Sequence, residues 1–106
     1  IDINAKMPIL TNKFGGLSGK GIFPVAIKNV YEIYKTVNIP IIGTGGITTG
    51  KDAIEMLMAG ASLLGVGTAV YYEGVKVFTK INLEIEEWMT NNGYSNIKEI
   101  IGVAHE

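Results

Sequence analysis

Ile39-Pro-Ile-Ile-Gly-Thr-Gly-Gly46, answered about twenty residues later by Gly65-Val-Gly-Thr68, decides the fold of this chain. Each is a short apolar run that ends in glycines. Such runs read as parallel strands covered on both faces, because a strand buried on both sides loses the in-out alternation of a surface strand. A helical pattern lies between them, so the unit is β-α-β and both glycine clusters fall at the C-terminal ends of neighbouring strands. Bare backbone on one rim suits a phosphate, since glycine allows close approach and free N–H groups can point at the anion. In eight-stranded α/β barrels the usual phosphate site lies at the loops after the last two strands. The two glycine clusters are read as that site.

The totals narrow the function. The chain has 106 residues, 47% of them hydrophobic, and a formal net charge of −1. That is one globular unit at most, large enough to bury a core. Nine basic and ten acidic residues are scattered without a basic run, so no nucleic-acid partner is expected. No apolar stretch approaches the roughly 20 residues of a membrane span, so no membrane partner is expected either. Without cysteine there is no disulfide, thiolate nucleophile or Cys-ligated metal in this stretch. The N-terminus lacks a charged lead, an apolar signal region and an initiator methionine; the chain is read as beginning inside a longer, cytoplasmic protein.

Outward from the decisive stretch, residues 1–10 alternate loosely around Asn4-Ala5-Lys6 and suggest a small hairpin. Four glycines between Gly15 and Gly21 exclude a regular element; this is either a flexible connection or a loop passing close to a ligand. Pro24 suits the first turn of a helix, and Ala26, Val30, Ile33 and Val37, widened by Ile27 and Tyr34, form its apolar face as far as Asn38. Thr49-x-x-Asp52 is a capping pattern that opens the crossover helix, whose face is Ala53, Ile54, Leu57 and Met58 and whose stop is Gly60. Ser62 to Gly67 is the second strand. A third helix is expected from Gly74 to Asn91, with Phe78, Ile81, Ile85 and Trp88 inward and Lys80, Glu84 and Glu87 in water. Ser95 is read as the cap of a last short helix carrying Ile97, Ile100 and Ile101. Two strands close no barrel, and a full one takes about 250 residues. The fold class is therefore α/β, the C-terminal part of a (β/α)8 TIM barrel comprising its last two β/α units plus the preceding helix and loop. Residues 1–106 form a single partial domain, and 43–69 hold the phosphate-binding strand ends. A small open α/β domain pairing with another chain is the other architecture this pattern allows.

No acid-base or nucleophilic pair presents itself. His105, the one histidine, lies beside the end and reads as a frayed or surface residue. Ser18 is not in a nucleophile elbow. Lys13 and Lys20 flank the glycine loop as solvated residues or as attractors of an anion. Glu84, Glu86 and Glu87 read as a solvated helix face, and no metal-ligand cluster occurs. Gly43-x-Gly45-Gly46 does not keep the spacing of a dinucleotide fingerprint. Thr68 can offer its hydroxyl and its N–H to a phosphate oxygen.

Several motifs recur in a family-specific order: Pro8-Ile-Leu-Thr-Asn12, Gly15-Gly-Leu-Ser-Gly19, Pro24-Val-Ala-Ile-Lys28, Ile39 to Gly46, Asp52, Ala59-Gly-Ala-Ser62 and Val66-Gly-Thr-Ala69. Together they resemble the C-terminal part of class 1B dihydroorotate dehydrogenase, catalytic subunit, most closely from Pro8 to Ala69. The resemblance implies an FMN-dependent barrel that oxidises dihydroorotate to orotate in pyrimidine biosynthesis. It also implies a homo-oligomer and an electron-transfer partner subunit that carries FAD and an iron-sulfur cluster. The family's FMN contacts fall on Gly19, Gly45, Gly46, Gly67 and Thr68. Its cysteine base is absent, and its flavin-side lysine and pyrimidine-holding asparagines precede the residue matching Ile1. The segment is thus expected to contain no catalytic residue and no metal site, and to be inactive alone. Where Lys20 stands the family often has proline. Valine at Gly46 or Gly67 is expected to block FMN. Two other classes fit the glycine-tipped strands: a lyase or isomerase of a phosphorylated metabolite, and a non-catalytic half-barrel binding module.

Overall fold

Phe23-Pro24 opens helix α1 (Phe23–Tyr34), with the proline where its missing N–H leaves no bond unmade. The chain is described by a computed structural model over residues 1–105. α1 stops short of the expected Asn38. The Thr36 and Val37 amides fold back onto the Ile33 carbonyl at 2.8 and 3.1 Å, a tightened last turn. Phe23, Ala26 and Val30 are buried. Ile33, expected to face inward, is 45% exposed, so the covered side of α1 is narrower than its apolar pattern.

Strands β1 (Ile42–Thr44) and β2 (Leu63–Gly65) pair in parallel, with Ile42 opposite Leu63 and Thr44 opposite Gly65. Between them runs helix α2 (Gly50–Met58). The predicted capping box is complete: the Thr49 hydroxyl accepts from the Asp52 amide at 3.2 Å, and the Asp52 carboxylate accepts from the Thr49 amide at 3.1 Å. Two orphan donors of the first turn are satisfied within four residues. Expected cover on both faces of the sheet is not found. Gly43 lies buried beneath Met56 and Ala61, whereas Ile42 is 66% and Leu63 62% exposed. The helices cover one side, and no described element covers the other.

The expected helix from Gly74 to Asn91 is present as α4 (Lys76–Asn91), and a short helix that the pattern did not announce, α3 (Thr68–Glu73), precedes it. Gly74, at φ 73°, ends α3 in a conformation that an L side chain rarely adopts, and the helix restarts two residues on. The buried stripe of α4 is Val77, Ile81 and Ile85, with Trp88 half-buried. Val77 takes the inward place that the pattern assigned to Phe78, which is 45% exposed. The Val77 side of α4 is the one that meets α2 and α3.

Beyond α4, Tyr94 stacks on Trp88 with 5.5 Å between centroids. A 3-10 turn at Ile97–Glu99 replaces the expected last helix. Its cap is Asn96, whose side chain accepts from the Lys98 amide at 3.0 Å, while the Ser95 hydroxyl bonds Glu99. Fully buried Ile100 and the Gly102 amide, bonded to the Leu57 carbonyl at 3.0 Å, bring the chain back to α2. His105 is not frayed. Its ring stacks on Tyr31 at 3.9 Å and its Nε2 lies 2.9 Å from the Ala59 carbonyl oxygen. At the other end, the expected hairpin reduces to one antiparallel bridge, Asp2 with Met7, around the turn. A longer ladder would need partners that a ten-residue arm lacks.

Candidate functional site

Three loops meet at the C-terminal ends of β1 and β2 around a cleft of about 320 Å³. One wall is the glycine loop, through Leu17, Ser18 and Gly19, continuing to Ile22 in the turn Lys20–Ile22. The second is the tip of β1, Thr44 to Ile47, and the third is Gly65, Gly67 and Thr68 at the tip of β2. The five candidate residues, Gly19, Gly45, Gly46, Gly67 and Thr68, therefore border one space although they come from three separate loops. β1 and β2 end side by side because they pair in register, and α2 returns the chain at the same height.

The glycines serve different ends. Gly46 has φ 73°, and a β-carbon there would lie 2.6 Å from the Gly19 carbonyl oxygen and 2.8 Å from Phe23 Cβ. It is bare so that the first two walls can touch. At Gly67, which borders the cleft, a β-carbon would meet nothing within 4 Å. Neither the Gly46 nor the Gly67 amide is engaged by a loop or turn carbonyl among the described residues. Hydroxyls of Ser18, Thr44 and Thr68 add neutral donors. Ser18 and Thr44 carried no weight in the sequence as ligands. Thr44, between Gly43 and Gly45, had a usable signal in that position.

Among the described residues no charged side chain lines the cleft. Lys20, the residue after Gly19, is paired with Asp52. Lys20 donates to Asp52 Oδ1 while the Asp52 Oδ2 accepts from the Thr48 amide at 3.0 Å, the Thr48 hydroxyl at 2.9 Å and the Thr49 amide. Burial alone would raise the Asp52 pKa. The Lys20 bond and the Thr48 and Thr49 donors outweigh it and hold the carboxyl down at about 2. Lys20, though exposed, is thus paired with Asp52 and is not a free anion contact. Lys13 lies elsewhere, beside Pro8, Ile9 and Phe14. Glu84, expected in water, accepts from the Gly50 amide at the start of α2. Among the described residues there is no group of three His, Cys, Asp or Glu able to hold a metal. No described helix is long and apolar enough to cross a membrane.

The same chain has clear relatives. The sequence profile of dihydroorotate dehydrogenase matches residues 1–89. The catalytic subunit of dihydroorotate dehydrogenase B (NAD(+)) from Pyrococcus abyssi is 55% identical over 104 residues, which are 98% of this chain and 35% of the relative. That from Thermococcus kodakarensis is 54% identical over 106 residues, again 35% of its length. A crystal structure of ligand-free DHODH from Eimeria tenella superposes with a TM-score of 0.83 at 35% identity, covering 92% of this chain and 28% of that one. This chain spans about a third of the curated relatives it matches, so its α/β unit is part of a barrel rather than a whole one. On the profile match, the identity and the superposition together, the chain belongs to the dihydroorotate dehydrogenase family.

Proposed function

We propose that residues 1–106 are a partial domain, the C-terminal portion of an FMN-dependent dihydroorotate dehydrogenase, and that their part is to anchor the flavin phosphate. One observation carries this reading: backbone from three loops, with Gly19, Gly45, Gly46, Gly67 and Thr68, borders a single cleft at two strand tips that no carboxylate lines. The fit to a phosphate is chemical. The Gly46 and Gly67 amides and the Thr68 hydroxyl are neutral donors, and such donors stabilise an anion where water is excluded. The apolar sides of Leu17 and Ile22 suit the uncharged part of a nucleotide. Flavin, when bound, supplies the hydride acceptance that the family's reaction needs. This chain's residues would hold and orient it: Gly19 by letting the loop abut Gly46, Gly67 by leaving the mouth open, and Thr68 by donating its hydroxyl.

That these relatives are catalytic subunits of an NAD(+)-linked enzyme supports an electron-transfer partner for the parent. FAD and an iron-sulfur cluster would belong to that partner. Dihydroorotate would be the substrate, a cytoplasmic homo-oligomer the assembly, and the reacting side chains would lie outside residues 1–106.

The test is the flavin content of the full-length parent. Wild type is expected to purify yellow with FMN, and Gly67→Val to purify colourless with the melting temperature of flavin-free wild type, since the new side chain enters open space. A parent without flavin, or a fully yellow Gly67→Val, would sink the reading. A lyase or isomerase acting on a phosphorylated metabolite would show the first of these results.

A further inference from the structure

Lys20 occupies an unusual place for a loop lysine. It follows Gly19 directly, passes over the Phe23 ring with 4.6 Å from Nζ to the centroid, and ends on Asp52. Asp52 in turn grips Thr48 and Thr49, in the loop that follows Gly46. Among the described residues this is the side-chain link between the glycine-loop wall and the β1 wall of the cleft. Those walls also touch through backbone, where Gly46 faces the Gly19 carbonyl with no room for a β-carbon. A small drift of Gly19 would therefore open or close the cleft along one side.

We propose that Lys20 is a positioning residue: its ion pair with Asp52 clasps the glycine loop to the β1 tip and slows escape of the anion held between them. This rests on the reading of the cleft as an FMN phosphate site. The carboxylate is 8% exposed and the lysine side chain 58%, so one end is fixed and the other is open to salt.

The experiment follows flavin release from the full-length holoprotein by recovery of flavin fluorescence. Lys20→Met should release flavin about fivefold faster, the scale of a partly exposed ion pair, and Lys20→Arg should restore most of the difference. Added sodium chloride should speed release from wild type and leave Lys20→Met unmoved. Asp52→Asn, which also weakens the Thr48 and Thr49 bonds, should release flavin at least as fast as Lys20→Met, and the double variant should be no faster than Asp52→Asn, because the lysine pair is already lost. Wild-type release from Lys20→Met overturns the proposal. So does a fast Lys20→Met beside an unchanged Asp52→Asn, which would mean that the lysine touches the ligand itself. If the wild type carries no flavin, the FMN reading fails separately. The clasp is then judged by amide exchange over Gly19–Ile22, which Lys20→Met must accelerate for the proposal to stand.

Discussion

At Gly46 a β-carbon would press on the Gly19 carbonyl and on Phe23, and φ is 73°; at Gly67 it would press on nothing. The sequence expected valine at either position to block the cofactor directly. Room for such a side chain exists at Gly67 and not at Gly46. Gly46→Ala is expected to destabilise the parent by about 2–4 kcal/mol, from left-handed strain plus overpacking, measured by urea unfolding of the flavin-free protein. Any loss of flavin there would come through a displaced loop. Asp52 gives the second expectation at this scale. Its pKa falls from the ordinary 3.8 to about 2 on folding, so the unfolded chain binds the proton more readily. The stabilisation is present above pH 3.8 and is lost as pH falls toward 2, with a size of about 2 kcal/mol. Asp52→Asn should therefore flatten the acid limb of a stability-against-pH curve in that window and lower stability at neutral pH. An unchanged acid limb would mean that Asp52 keeps its ordinary affinity for protons.

Between elements, α2 is held at its start by two carboxylates of different origin. Asp52 is local, and Glu84 reaches the Gly50 amide from α4. Glu84→Ala should cost about 1–2 kcal/mol in urea unfolding, as the loss of a charged acceptor at a helix start, whereas exposed Glu86→Ala should change less than about 0.5. Equal effects would make Glu84 the solvated residue its spacing suggested. This contrast marks what could be read in the sequence. Thr49-x-x-Asp52, Pro24 and Gly60 act within a few residues, and the helix starts and stop they forecast are present. The Glu84 bond spans 34 positions, the His105 bond to Ala59 spans 46, and the Lys20 bond to Asp52 spans 32. No local pattern encodes them, so in sequence Glu84 reads as part of a wet face, His105 as a frayed end and Lys20 as a loop charge. The cleft behaved likewise. Its glycines stood out because two clusters end neighbouring strands, but Ser18 and Thr44 became visible only when three loops were brought together.

The molecule as a whole measures 58 × 34 × 18 Å with a radius of gyration of 16.7 Å. A compact domain of this length would have about 13 Å. The excess goes with a surface that looks like an interior. Ile42 and Leu63 stand out from the bare side of the sheet, and Ile1, Ile3, Ile9 and Phe14 are each more than 70% exposed on the N-terminal arm. Contiguous apolar surface of this kind seeks cover, and unpaired parallel edges invite pairing. The isolated 106 residues are therefore expected to self-associate on size exclusion and to show no dihydroorotate oxidation with added FMN. Ile42→Lys with Leu63→Lys separates the causes. In the isolated chain the two lysines should reduce association, because they charge a face that water already reaches. In the full-length parent the same pair should destabilise the fold by several kcal/mol, because there the face meets the remaining strands and a lysine loses its solvation. A lysine pair tolerated equally in both settings would mean that the bare side of β1 and β2 is an outer surface, and the barrel assignment of those strands would have to be abandoned with it.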